Sequence, residues 1–253
     1  MISSSEARGE SSAGGNGFGL SLRNGLARHP EWWTLAVCLA AWVLLAVHDS
    51  WEPSTAFCGT LHSTDTSVGL EWATKLTGWS VMIAAMMLPL AVAPVRRTAH
   101  ASLWRRRHRA IAGFLLGYGA IWIIAGGAAL AGLAIWHPDR WTAVAGFTVA
   151  SVWELTPLKR RALSLCHRTV PLRPLGWYAD IDCLRYGMGQ GRNCLTSCWA
   201  IMLGALLAAN HLPVMAGLTA LCVAQRHWPR RRQRIEATAL AAAAVCLAAV
   251  ALA

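Results

Sequence analysis

Seven apolar stretches, parted by segments that hold nearly all of the charge, constrain this chain more than any other feature. They cover residues 32–47, 76–95, 110–136, 141–156, 194–209, 212–225 and 237–253. A helix needs about 20 residues to cross the hydrocarbon of a bilayer. The second and third stretches meet that length easily, and the first, fourth and seventh lie near the lower limit. The fifth and sixth are short and are joined only by Asn210 and His211, with Pro213 just beyond. Whether they span or form a hairpin buried in protein, both ends of the pair face one side. With two spans as the preferred reading, the pattern predicts an all-α polytopic membrane bundle of about seven transmembrane helices over residues 32–253. Residues 1–31 are rich in Ser and Gly and are expected to be a disordered tail. No small-residue cleavage pattern follows an early apolar run, so no cleavable signal peptide is expected.

Composition agrees with a membrane chain. Apolar residues make up 55% and charged residues 14% of the 253, against about 25% charged in globular domains. Trp outnumbers Tyr and Phe together, 14 against 3 and 4, and its amphipathic ring suits bilayer interfaces. The net charge of +11 would point a soluble protein to nucleic acid. Here its placement accounts for it. All Lys and Arg except Lys75 and Arg140 fall in alternate segments between the spans. The positive-inside rule then puts the amino terminus in the cytoplasm and the carboxyl terminus outside, in a multi-pass protein of the inner membrane. The basic segments face anionic lipid, and no nucleic acid partner is expected.

Sulfur is the most distinctive chemistry. Cys194 and Cys198 open the fifth span four residues apart, on one helical face, and Met202 continues the stripe. Soft ligands of this kind select Cu(I) over hard cations. The same residues also serve as packing adaptors in a helical core. On the second span Trp79, Met82 and Met86 share a face, with Met87 beside it. Pro89 and Pro94 interrupt that helix's hydrogen-bond ladder and free carbonyls near a possible site. Glu154 lies near the cytoplasmic end of the fourth span. An acid inside a membrane is a functional candidate by default; the alternative is that it reaches the interface and pairs with Lys159 or a nearby Arg. Thr156 to Lys159 would end that helix and begin a basic loop. Within the loop, residues 175–186 read as an interfacial helix, and Gly187 to Gly191 as a flexible turn. Gly113 and Gly117 make a GxxxG face suited to close helix packing. In the first outer loop His48, Asp49, Cys58, His62 and Asp65 form only a loose set of possible ligands. There is no nucleophile–base arrangement, zinc-protease motif or phosphate-binding loop, so nothing argues for an enzyme.

Three blocks carry a resemblance. They are Trp79-x-x-Met82-x-x-x-Met86-Met87-Leu-Pro89; Leu155-Thr156-Pro157-Leu158-Lys159 with Cys166; and Gly187 to Gly191 followed by Cys194-x-x-x-Cys198-Trp199-x-x-Met202. In order and spacing they resemble a bacterial domain-of-unknown-function family labelled predicted metal-binding integral membrane protein, sometimes copper chaperone. The resemblance covers roughly residues 72–250. It departs from the family at Ser197, where a Cys is usual, at Gln190, where a His is frequent, and at Gln225–Arg226, where an acid–lysine pair is usual. The hairpin over 209–212 also differs. The resemblance implies a metal held by Cys194 and Cys198, with Met202, Met86, Met82 and Cys166 nearby. Glu154 would balance charge or accept a proton, since thiolate–metal bonds release protons.

Three readings follow. The first is a cytoplasm-facing protein that binds a soft metal such as Cu(I) for delivery to a membrane-protein partner, sensing or transport. The second is a non-catalytic scaffold or assembly subunit without metal. The third is a membrane thiol oxidoreductase, disfavoured because most thiols fall on the reducing side.

Overall fold

The computed structural model describes residues 31–51, 68–136, 140–173, 175–207, 212–227 and 233–252. Among them there is no strand. The helices are α1 (Trp32–Trp51), α2 (Val68–Ala101), α3 (Arg107–Ile135), α4 (Arg140–Glu154), α5 (Pro157–Cys166), α6 (Trp177–Leu207), α7 (Leu212–His227) and α8 (Gln233–Leu252). The stretches Trp32–Asp49, Gly69–Ala101 and Trp104–Ile135 are each long and apolar enough to cross a membrane. The tail over residues 1–30 and the outer-loop candidates Cys58, His62 and Asp65 lie outside the described residues.

α6 is central and packs against α3, α4, α5 and α7. It is one helix from Trp177 to Leu207. That corrects the expected flexible turn at Gly187 to Gly191. Glycine disfavours an isolated helix, but here the missing side chains let two backbones meet. A Cβ on Gly187 would collide with the Phe114 carbonyl, and one on Gly117 with the Leu184 carbonyl. The GxxxG face of α3 thus closes on the glycines of α6. Asp180 fastens the same pair at one end, accepting from Arg106 at 2.7 Å and ion-paired with Arg109 at 2.8 Å.

α2 runs on through both prolines. Pro89 has no N–H for the carbonyl of Ala85, four residues back. That carbonyl instead accepts from Trp42 Nε1 at 3.0 Å and from the Cys38 thiol at 3.4 Å. The defect in one helix therefore becomes the bond that seats α1. On another side of α2, Trp79 Nε1 donates to the Trp122 carbonyl at 2.9 Å. Gly126 makes room for the indole.

α4 packs on α6 and α8. Trp153 Nε1 donates to the Thr196 carbonyl at 3.1 Å, and Ser151 donates to the Ala237 carbonyl at 3.0 Å. After Glu154 the chain turns and at once forms α5, where a basic loop was expected. Thr156 caps the new helix, its hydroxyl accepting from the Lys159 N–H at 3.3 Å, and Pro157 occupies the first turn, where its missing N–H does no harm. α5 buries Lys159, Ala162 and Cys166 on one face, which lays it against α6.

Candidate metal centre

Cys194 and Cys198 are buried one turn apart on α6, and α7 adds Cys222, equally buried. The Cys198 thiol is the neighbour that both other thiols share. The three sulfurs form a chain with Cys198 in the middle. At one end the Tyr118 hydroxyl of α3 donates to the Cys194 sulfur at 3.1 Å. The Met87 thioether of α2 stands 4.0 Å from that same sulfur. Ser197 donates to the Cys194 carbonyl at 2.9 Å, and its oxygen lies 3.4 Å from the Cys198 sulfur.

Cys166 closes α5 beside this chain, against Ser197 and Arg226, and within the field of Cys198. Arg226 also donates to the Cys166 carbonyl at 3.3 Å. Burial pushes the Cys166 thiol up to about 11, against the opposing pull of Arg226. The next residue, His167, is held below the usual imidazole range by burial and then by the charges of Arg226, His227 and Arg97.

A buried polar layer adjoins the thiols. Lys159 and Glu154 form an ion pair with no exposed surface. Gln225 of α7 donates to the same carboxylate oxygen at 3.1 Å. Among the described residues, the second Glu154 oxygen and the Gln225 carbonyl oxygen have no partner. The Lys159 charge acts on both Cys198 and Cys222. Glu154 therefore does pair with Lys159, but in the interior, not at an interface.

Among the sequence candidates, the structure brings Cys194, Cys198 and Cys166 together, with Glu154 one layer behind. Met82, Met86 and Met202 are buried, but the thioether placed beside a thiol is that of Met87. Cys222, Tyr118, Met87, Ser197 and Lys159 were not singled out as site residues. Cys222 had one legible sign: with Met215, Leu218, Thr219 and Gln225 it marks the buried face of α7. Tyr118 carried none, because its role depends on how α3 crosses α6.

Among the described residues, no three His, Cys, Asp or Glu side chains form a group that could hold a metal ion. The thiols therefore do not form a closed three-ligand group. Their chemistry is nonetheless soft throughout, three thiols and a thioether, and that set favours Cu(I) over hard cations.

A family model described as copper chaperone, PpoB2, matches residues 76–251. The chain belongs to this copper chaperone family. No curated protein and no solved structure matches the chain. The region that matches the copper chaperone model begins within α2 and ends within α8, so it contains every thiol, thioether and ion-pair residue of the site.

Proposed function

We propose that this chain is a multi-pass membrane copper chaperone that binds Cu(I) on the Cys194–Cys198–Cys222 thiols and passes it to a membrane-protein partner. The observation that carries the reading is the buried chain of three thiols, drawn from two helices, with the Met87 thioether 4.0 Å from Cys194. Cu(I) is satisfied by a pair of thiolates, so neighbouring thiols along the chain are enough to hold it without a closed cage. Cys198, in the middle, belongs to either pair. Copper here is cargo, and a chain of pairs with Cys166 at its edge offers a path by which one sulfur replaces another. The buried Lys159 ammonium lowers the cost of negative charge on the thiolates. The seven-crossing arrangement with a cytoplasmic amino terminus is part of this reading, supported by the segregation of basic residues and by the three long apolar helices.

The test is anaerobic purification in detergent, then elemental analysis and Cu(I) competition titration, wild type beside Cys198→Ala. Stoichiometric copper in the wild type and weak or absent copper in the variant is the expected result. No copper in either sinks the reading and leaves a membrane scaffold. That second reading draws on the same thiols, as core packing, and on their open arrangement.

A further inference from the structure

Between α5, the 167–173 segment and the first half of α6 lies a cavity of about 330 Å³. Its floor is largely apolar, from Leu165 and residues 170–172. Arg168 and Arg185, both exposed, are among its lining residues and have no ion-pair partner among the described residues. Its acid, Asp182, is already engaged, 3.6 Å from Arg173. No thiol lines the cavity, but two of its lining residues directly precede thiols of the site in sequence. Gln190 and Asn193 form its wall on α6, and Cys194 is the residue after Asn193 and one turn beyond Gln190. Gln190 is buried, with its amide 3.3 Å from the Arg168 carbonyl and 3.4 Å from the Tyr186 hydroxyl. On the other wall, Leu165 is followed by Cys166.

We propose that this cavity is the loading port of the copper site and binds a small thiol that bears carboxylates and carries Cu(I). The inference rests on the copper reading above. In a reducing compartment Cu(I) travels bound to thiols, so whatever loads this site brings a thiolate with it. Unpaired guanidiniums recognise carboxylates through charge-assisted, bidentate bonds. The volume lies within the range of small-molecule pockets and is too small for a folded partner. The lining residues Asp182, Arg185, Gly189 and Asn193 lie along one side of α6. The exposed apolar residues of the same stretch, Leu184 and Met188, lie on another. On α6 the port therefore takes the polar side of the helix.

Transfer is a balanced ligand exchange. Copper enters as Cu(I) held by two carrier thiolates. Each bond from copper to a carrier sulfur breaks as a bond to a protein sulfur forms. The proton leaving each protein thiol goes to the departing carrier thiolate, so two carrier thiols are released and copper stays in the +1 state.

The experiment uses the full chain in nanodiscs of uncharged phosphatidylcholine. Copper is supplied as the Cu(I) complex of glutathione, which carries carboxylates, or of dithiothreitol, which carries none. The wild type is compared with Arg168→Gln/Arg185→Gln. The double variant is expected to slow transfer from the glutathione complex about tenfold, the lower end of what electrostatic steering supplies. Transfer from the dithiothreitol complex and the copper stoichiometry at equilibrium should not change. Arg168→Lys/Arg185→Lys should recover most of the rate. Equal rates in wild type and double variant with glutathione, or equal slowing with both carriers, would overturn the port. If the double variant instead loses phosphatidylglycerol retained by the wild type in native mass spectrometry, with transfer unaltered, the cavity is a lipid headgroup site and the port is wrong. Failure of the copper reading looks different: the wild type then retains no copper from either carrier, and the port falls with it.

Discussion

An ammonium group with no exposed surface, Lys159, is held by one carboxylate oxygen of Glu154 beside a chain of thiols. Breaking such a pair from one side leaves a bare buried charge. Lys159→Met is expected to destabilise the protein by about 3–5 kcal/mol. Glu154→Gln/Lys159→Met removes both charges and should regain much of that loss. Thermal unfolding in detergent compares them, and equal loss in the single and double variants would show that pairing is not what holds the residue there. Cys166 gives a second prediction. Its thiol is raised to about 11, so the folded state keeps a proton that the unfolded chain gives up at lower pH. The stability this contributes is full below the ordinary thiol range and is lost as pH rises toward 11, on the order of 2 kcal/mol in all. Unfolding temperature measured from pH 8 to 11 should therefore fall less in Cys166→Ala than in the wild type. Parallel curves would count against this account.

At the scale of elements, the crossing of α3 and α6 depends on absent side chains. Gly187→Val places atoms where the Phe114 carbonyl lies and forces the two helices apart. The expected cost is about 1–3 kcal/mol, and copper retention should fall too, because Tyr118 reaches Cys194 only across this crossing. Gly119→Ala on α3, where a Cβ meets nothing, is the control and should weaken neither. The contact between α1 and α2 makes a different kind of prediction. Trp42→Phe leaves the Ala85 carbonyl, which Pro89 deprives of an N–H, with only the weak Cys38 thiol donor, at a cost of about 1 kcal/mol. In a Pro89→Ala background, where the helix supplies that N–H, the same change should cost less. A double-mutant cycle on unfolding free energy reads the difference, and additive losses would mean the proline is irrelevant to the contact.

For the molecule as a whole, orientation governs which compartment meets the thiols. A phosphatase that works only outside the cytoplasm, fused after Ala253, is expected to be active, and a fluorescent protein that matures only inside is expected to be dark. The opposite pair of results would reverse the orientation drawn from the basic segments. Copper is expected to bind more tightly as pH rises, because thiols must lose protons to hold it. A pH-independent affinity in competition titrations would argue that thioethers, not thiols, are the ligands.

Periodicity and composition alone determined the all-helical class, most helix positions and the pairing of Cys194 with Cys198, because a helix repeats its face every three to four residues regardless of its neighbours. Glu154 and Lys159 were legible as a pair for the same local reason. Other features depended on contacts that no window of sequence contains. Gly187 to Gly191 looks like a turn until α3 lies against it and turns lost side chains into close packing. α5 hides inside a basic segment because a ten-residue helix is set by its cap and by the surface it covers. Cys222, Tyr118 and Met87 join the site from three other helices, at sequence separations of 24, 76 and 107 residues from Cys198, Cys194 and Cys194 respectively. Only the packing of α2, α3 and α7 around α6 decides which sulfurs meet, since burial selects faces and not partners.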